Sequence, residues 1–315
     1  MEFAFTPEQD ELRSSARAFL AANPDPSWQQ LAELGWTGAS VAPELGGSGL
    51  SFVEEGILFE ETGRALLHAP FYSTVALVLP ALSDDLKGEV ARGAASWTFA
   101  RGPLVPDLDT AERVAVVHGD GIHELEEFER DVLETVDDTR PLGVVTGGRL
   151  GRRLGDAAKI LTACRRRSLV ALALEACGVG RRALEFAIEH ASTREQFGRP
   201  IGAYQAVSHQ LATSYAELEL ARSTSLWAAW CVAAAEPEAD IAAASAKALA
   251  ADAAVTACER SIQVHGGIGF TWEHVLHRLY KRALGIQAWE ASSAELREAV
   301  AAHLLDGPTF DDTGA

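Results

Sequence analysis

Arg194-Glu195-Gln196-Phe197-Gly198-Arg199-Pro200-Ile201 and Gln263-Val264-His265-Gly266-Gly267-Ile268-Gly269-Phe270 each close a long helical run, and each carries residue types suited to an extended, anionic, aromatic ligand. Arg194 offers a planar fork of donors that matches pyrophosphate oxygens. Phe197 offers a flat apolar face, and Gly266-Gly267 a length of backbone that no side chain shields. A plainer reading stands beside this one. An arginine near a helix C-terminus followed by Gly-x-Pro is an ordinary helix stop favoured by the macrodipole, and a glycine pair can end an alanine-rich helix with one residue left-handed. For the glycines both readings can hold together.

Working outward from these segments, helical periodicity runs through approximately 155–192, 203–235, 238–265 and 271–303 with short connections, which predicts an antiparallel four-helix bundle. Toward the N-terminus, Thr6 before Pro7 caps a helix that repeats Leu12, Ala16, Phe19 and Leu20 at helical spacing. Another helix starts near Pro26-Ser27 and stops at Gly35. After the Gly46-Gly47-Ser48-Gly49 loop an amphipathic stretch runs from Phe52 towards Leu67, and Pro70 and Pro80 bound a further apolar helix. Only the middle reads as β: Val114 to Val117, a His118-Gly119-Asp120-Gly121 turn, then Val132 to Val136. So small a sheet needs helices packed on it. The expected architecture is therefore mainly α, with a helical N-terminal domain (1–92), an abbreviated β middle segment (93–152), a C-terminal antiparallel four-helix bundle (153–307) and a frayed polar tail (308–315).

Bulk properties exclude several classes. A formal charge of −18 leaves nothing basic and extended to displace counterions from a nucleic acid. Arg165-Arg166-Arg167 is the one basic cluster and reads as a solvated helix face. Cys164, Cys177, Cys231 and Cys258 lie in Ala/Leu-rich stretches without CxxC spacing or a signal peptide ahead of them, as expected of reduced, buried thiols in a cytoplasmic protein. The alanine-rich run from 228 to 257 is interrupted by Glu236, Glu238, Asp240, Lys247 and Asp252, so no membrane span is expected. His274 and His277 share a helix face, but no nearby third ligand completes a metal site.

Arg194-x-Gln196-Phe197-Gly198-x-Pro200-Ile201, with Gln205 and Leu211-Ala212 after it, resembles the signature of the flavin-dependent acyl-CoA dehydrogenases, and Gln263-x-x-Gly266-Gly267-x-Gly269 follows at the family's distance. Val41-Ala42-Pro43-Glu44-Leu45-Gly46-Gly47-Ser48-Gly49-Leu50 and Glu60-Glu61-Thr62-Gly63-Arg64 resemble its N-terminal loop and the helix after it. The resemblance implies the helical, β, four-helix-bundle fold, with FAD held between subunits. It also implies a reaction: the acyl-CoA α-carbon loses a proton to a carboxylate and the β-carbon a hydride to the flavin. A trans-2-enoyl-CoA results, and electrons pass to an electron-transferring flavoprotein. On the same resemblance Arg194 meets the FAD pyrophosphate, Gln196 and Phe197 lie along the cofactor, and Gln263, Gly266 and Gly267 lie against its adenosine-diphosphate part. Thr98, in Ser96-Trp97-Thr98, and Ser292 are further implied cofactor contacts. Relatives carry Tyr-Glu-Gly a fixed distance after Arg-Asp-Ala; counting from Lys281-Arg282-Ala283 reaches Trp289-Glu290-Ala291 and makes Glu290 the candidate base. Its plainer reading is a solvated glutamate in a helix that includes Glu295 and Glu298.

The middle segment departs from the family. After Ser96-Trp97-Thr98 the Glu-Pro continuation is missing, and so is the later Trp-containing strand that helps hold the flavin ring. Arg194, Phe197, Gln263 and Gly267 are the groups that, in the family, reach across the interface to a neighbour's FAD. The pattern resembles the small subunit of actinobacterial heteromeric acyl-CoA dehydrogenases, whose partner is a full-length subunit. Two rivals remain: a complete homomeric enzyme using Glu290, and a non-catalytic helical scaffold that stabilises a partner.

Overall fold

The computed structural model describes residues 4–306, so the tail expected to fray beyond 308 lies outside the described residues. Helix α1 (Pro7–Ala22), α2 (Trp28–Glu33) and α3 (Phe52–Ala65) each begin with a reciprocal cap, Thr6 with Gln9, Ser27 with Gln30 and Ser51 with Glu54. Such a cap satisfies two orphan N–H groups at once. The stretch between Pro70 and Pro80 is not the ordinary α-helix its composition suggests. Tyr72–Val78 is π-helical and a 3₁₀ turn, Leu79–Ala81, follows before α4 (Asp84–Ala91). Thr74 takes part in strand docking from within that wide turn: its Oγ1 donates to Trp97 O at 2.9 Å and accepts from Trp97 N at 2.8 Å.

The sheet comprises β1 (Trp97–Ala100), β2 (Val105–Pro106), β3 (Arg113–His118), β4 (Gly121–Val132) and β5 (Leu142–Asp156), in the order β1-β3-β4-β5-β2. Only β1 and β3 pair in parallel. The expected turn at His118–Gly121 is present, but the strand expected over Val132–Val136 is not. β4 starts directly after the turn and ends at Val132. Beyond Leu125 the β4–β5 ribbon stands clear of the helices, so its sequence is charged on both faces, with Glu126 opposite and ion-paired to Arg149, and has no apolar alternation to read. β5 runs on to Asp156, and the bundle begins at Ala157.

The bundle consists of α5 (Ala157–Thr193), α6 (Gln205–Ala233), α7 (Ala239–His265) and a fourth rod in two pieces, α8 (Leu276–Ala288) and α9 (Ser293–Asp306). The continuous helix expected over 271–303 is thus broken at Trp289–Ser292, where Glu290 is left-handed at φ 68°. Helix α7 is long and apolar enough to cross a membrane by length and composition alone, yet here it is the central rod, packed on α5, α6, α8 and α9. Two glycines let α3 and α5 touch backbone to backbone. A Cβ on Gly63 would lie 2.1 Å from Glu175 O, and one on Gly178 1.9 Å from Glu60 O. Beside this contact lies a buried charge cluster. Arg282 of α8 donates to Asp137 Oδ2 at 2.8 Å and to Glu175 Oε1 at 2.6 Å, and Arg140 reaches Glu175 at 2.7 Å and 2.8 Å.

The arginine triplet is not one solvated face. Arg166 pairs with exposed Asp240, but Arg167 is drawn inward, where it pairs with fully buried Glu55, donates to Val75 O at 3.0 Å and stacks 4.3 Å over Phe52. The four cysteines are buried and unpaired, and burial pushes the thiols of Cys164 and Cys177 up to about 11 and about 12.

Candidate functional site

The two motifs meet. Helices α5 and α7 end side by side, and the imidazoles of His190 and His265 stack with centroids 4.4 Å apart; His274, ahead of α8, lies 4.7 Å from His265. Arg194 is the C-cap of α5 and is exposed. Glu195-Gln196 pairs back onto Arg199-Pro200, and the two residues between, Phe197 (φ 52°) and Gly198 (φ 77°), are both left-handed. A two-residue hairpin loop requires that conformation, and it throws the Phe197 ring outward until it is 93% exposed. Phe270 and Trp272, just beyond the glycine turn, are also exposed, at 72% and 76%. Gln196, Phe197, Tyr204, Val207 and Gln263 line a groove of about 410 Å³.

Gly266 caps α7 at φ 66°, a conformation that favours glycine whatever lies nearby. Gly267 differs. Its φ is ordinary and a Cβ there would meet nothing within 4 Å, so neither backbone nor packing within this chain demands glycine. Such a vacancy on an outward-facing turn suits a ligand that approaches the bare backbone. The adenosine-diphosphate half of FAD fits this end of the molecule: a free guanidinium, an apolar plane and an unobstructed peptide face outward together.

The flavin-ring half fits less well. Thr98 is fully buried in β1 and its hydroxyl donates to Pro106 O at 2.5 Å, so the cofactor contact expected of it is not available. Ser292 stands at the rim of a cleft of about 580 Å³ beside Phe99, Arg101 and Glu290, but its hydroxyl caps α9 through Glu295, 2.7 Å to Oε2 and 3.3 Å from the Glu295 amide.

Glu290 is not the solvated helical glutamate of the plainer reading. Its side chain is 8% exposed at the break between α8 and α9. Trp289 Nε1 donates to Tyr72 Oη at 3.1 Å, Tyr72 and Ser168 hydroxyls lie 2.7 Å apart, and Ser168 Oγ donates to Glu290 Oε1 at 2.7 Å. This chain of donors runs in one direction and ends on the carboxylate. Burial, and then Glu290 itself, hold the Tyr72 phenol well above its ordinary pKa, so it stays a neutral link. Arg101, on the loop after β1, is ion-paired to the same Oε1, and both side chains line the cleft. A carboxylate so placed can accept a proton once that guanidinium withdraws. Arg101, Tyr72, Ser168 and Lys247 all gather here and were missed in the sequence. Only Lys247, the one lysine of an alanine-rich helix, left a signal there.

A helical N-terminal unit, a small sheet and a bundle whose glycine turn faces outward define the fold of a flavin-dependent dehydrogenase. Residues 6–84 match the family described as acyl-CoA dehydrogenase, N-terminal domain, and residues 165–305 that described as acyl-CoA dehydrogenase, C-terminal domain. The chain is 32% identical over 288 residues to acyl-CoA dehydrogenase IpdE2 of Mycobacterium tuberculosis, covering 89% of this chain and 87% of that one. It therefore belongs to the acyl-CoA dehydrogenase family, whose members are FAD-dependent oxidoreductases acting on CH–CH donors. In fold it is similar to a chain of the ChsE4-ChsE5 complex from Mycobacterium tuberculosis, with a TM-score of 0.88 at 23% identity over 98% of this chain and 100% of that one. A chain of the Tcur3481-Tcur3483 steroid ACAD gives a TM-score of 0.84 at 26% identity, covering 95% and 98%.

Proposed function

We propose that this chain is the short subunit of a heteromeric acyl-CoA dehydrogenase and lends Arg194, Gln196, Phe197, Gln263, Gly266 and Gly267 to FAD whose ring is held by a full-length partner. One contrast carries the reading: the cofactor grip at the ends of α5 and α7 is open and outward, while the chain's own ring-side groups are engaged within the chain, Thr98 with Pro106 O and Glu290 with Arg101. The names of its relatives, a ChsE4-ChsE5 complex and a two-component steroid ACAD, favour the same arrangement and a ring-bearing acyl group. When bound, FAD supplies the acceptor for the β-hydride. In this chain Arg194 presents paired donors to the pyrophosphate, Phe197 covers an apolar face of the cofactor, and the 266–267 backbone lets it approach closely. An electron-transferring flavoprotein as acceptor and a cytoplasmic location, which fits the four buried thiols, belong to the same proposal.

Visible absorbance tests it directly. The protein alone is expected to be colourless and to acquire a flavin spectrum only when mixed with a full-length homologue; a yellow, self-assembled chain reduced by acyl-CoA rejects the partner. Titrating that flavin with a panel of acyl-CoA thioesters then ranks straight-chain against ring-bearing groups.

The donor chain that ends on Glu290 favours a second reading, in which this subunit also carries the base. Under it, Glu290→Gln lowers turnover of the flavin-loaded enzyme by about 10²–10⁴-fold. If Glu290 serves only to anchor Arg101, turnover stays within about twofold.

A further inference from the structure

Ser292 and Glu295 start α9 with a reciprocal cap, but that cap does not set the left-handed turn before it. Ala288, Glu290 and Ala291 are all compatible with helix, and Glu290 is not a residue that adopts positive φ readily. The turn itself therefore needs support from outside. Lys247 is the group placed to give it. It sits on α7 among buried alanines, fully inaccessible to solvent, where desolvation lowers its ammonium to about 8. Among the described residues it makes no ion pair. Instead Nζ donates to Gln287 O at 2.9 Å and to Ala291 O at 2.5 Å. The first carbonyl belongs to the last turn of α8, where the helix end leaves oxygens without partners, and the second lies just past the left-handed residue.

We infer that Lys247 is a positioning residue: it clamps both sides of the Trp289–Glu290 turn and so presents the Glu290 carboxylate at the cleft instead of allowing α8 and α9 to run on as one helix. Its effect on turnover rests on Glu290 being the base; its effect on the turn does not.

The experiment separates the two. In Lys247→Met, amide hydrogen exchange at Trp289 and Ala291, which donate to Gly285 O and Trp289 O, is expected to accelerate at least about tenfold while the middle of α7 stays protected. Unchanged exchange at these amides overturns the inference, whatever the activity. With the flavin-loaded complex, kcat is expected to fall about ten- to a hundredfold with the acyl-CoA KM within about twofold, since a misplacement near 1 Å carries that penalty. Lys247→Met on top of Glu290→Gln should add nothing; losses that multiply instead would mean that Lys247 does not act through Glu290. Should Glu290→Gln retain turnover, the base reading fails while the exchange result still judges the clamp. Lys247→Arg, which keeps the donors, is expected to restore exchange protection. Should Lys247→Met not fold, Lys247→Gln carries the same exchange test.

Discussion

At the scale of single residues, Gly267 separates a folding role from a binding role more sharply than any other position. Because a Cβ there meets nothing, Gly267→Val should leave the melting temperature within about 2 °C and the helix content intact, yet abolish flavin recovery in the mixed complex. Circular dichroism and flavin absorbance on one preparation check both halves, and a variant that melts early but still takes up flavin returns Gly267 to a capping role. Most of this end of the site was legible beforehand, because Arg194, Phe197 and the glycine pair lie in contiguous motifs. Thr98 was not. A strand residue's accessibility depends on what packs over it, and here the short β2 returns Pro106 O to its hydroxyl. Glu290 could be counted to but not characterised, since its partners come from three distant places, Tyr72, Arg101 and Ser168.

Elements explain why the motifs meet at all. Three of them, α5, α7 and the turn before α8, join at His190, His265 and His274. Burial, reinforced by the neighbouring imidazoles and, for His190, Arg194, lowers His190 and His274 below the ordinary 6.5. A histidine depressed in the folded state binds its proton more readily when unfolded. Stability from the stack is therefore fully present above 6.5 and falls as pH drops through that value towards the folded pKa. His68, raised chiefly by its hydrogen bond to Asp109, works in the opposite direction, losing its contribution as pH rises past 6.5. In a His68→Gln background the melting temperature at pH 5.5 should lie below that at pH 7.5, and His274→Phe should flatten the difference. The α3–α5 contact makes a second prediction at this scale. Gly178→Ala sets a methyl against Glu60 O and should cost about 3 kcal/mol, read as a fall in melting temperature of several degrees. Caps and periodicity exposed α1, α2, α3, α5, α6 and α7 in the sequence. The split between α8 and α9 left one local mark, Ser292 three residues ahead of Glu295 as a capping box, while the left-handed turn before it rests on tertiary contacts.

For the whole molecule, the departure from the family's pattern was readable as missing motifs in the middle segment, but its physical form was not. Sequence could report that expected motifs were absent; only the fold places Arg101 on Glu290 beside the remaining cleft. The buried charge cluster joins the sheet to the bundle. Asp137, Thr139 and Arg140 come from one loop of the sheet, Glu175 from α5 and Arg282 from α8, and they are knotted together largely out of solvent. Such a knot acts as a rivet through three layers. Swinging the sheet off the bundle would break these ion pairs together, which ties the sheet to the bundle at this point. What can rearrange beside the cleft is then a side chain such as Arg101, with the sheet a fixed doorframe around it.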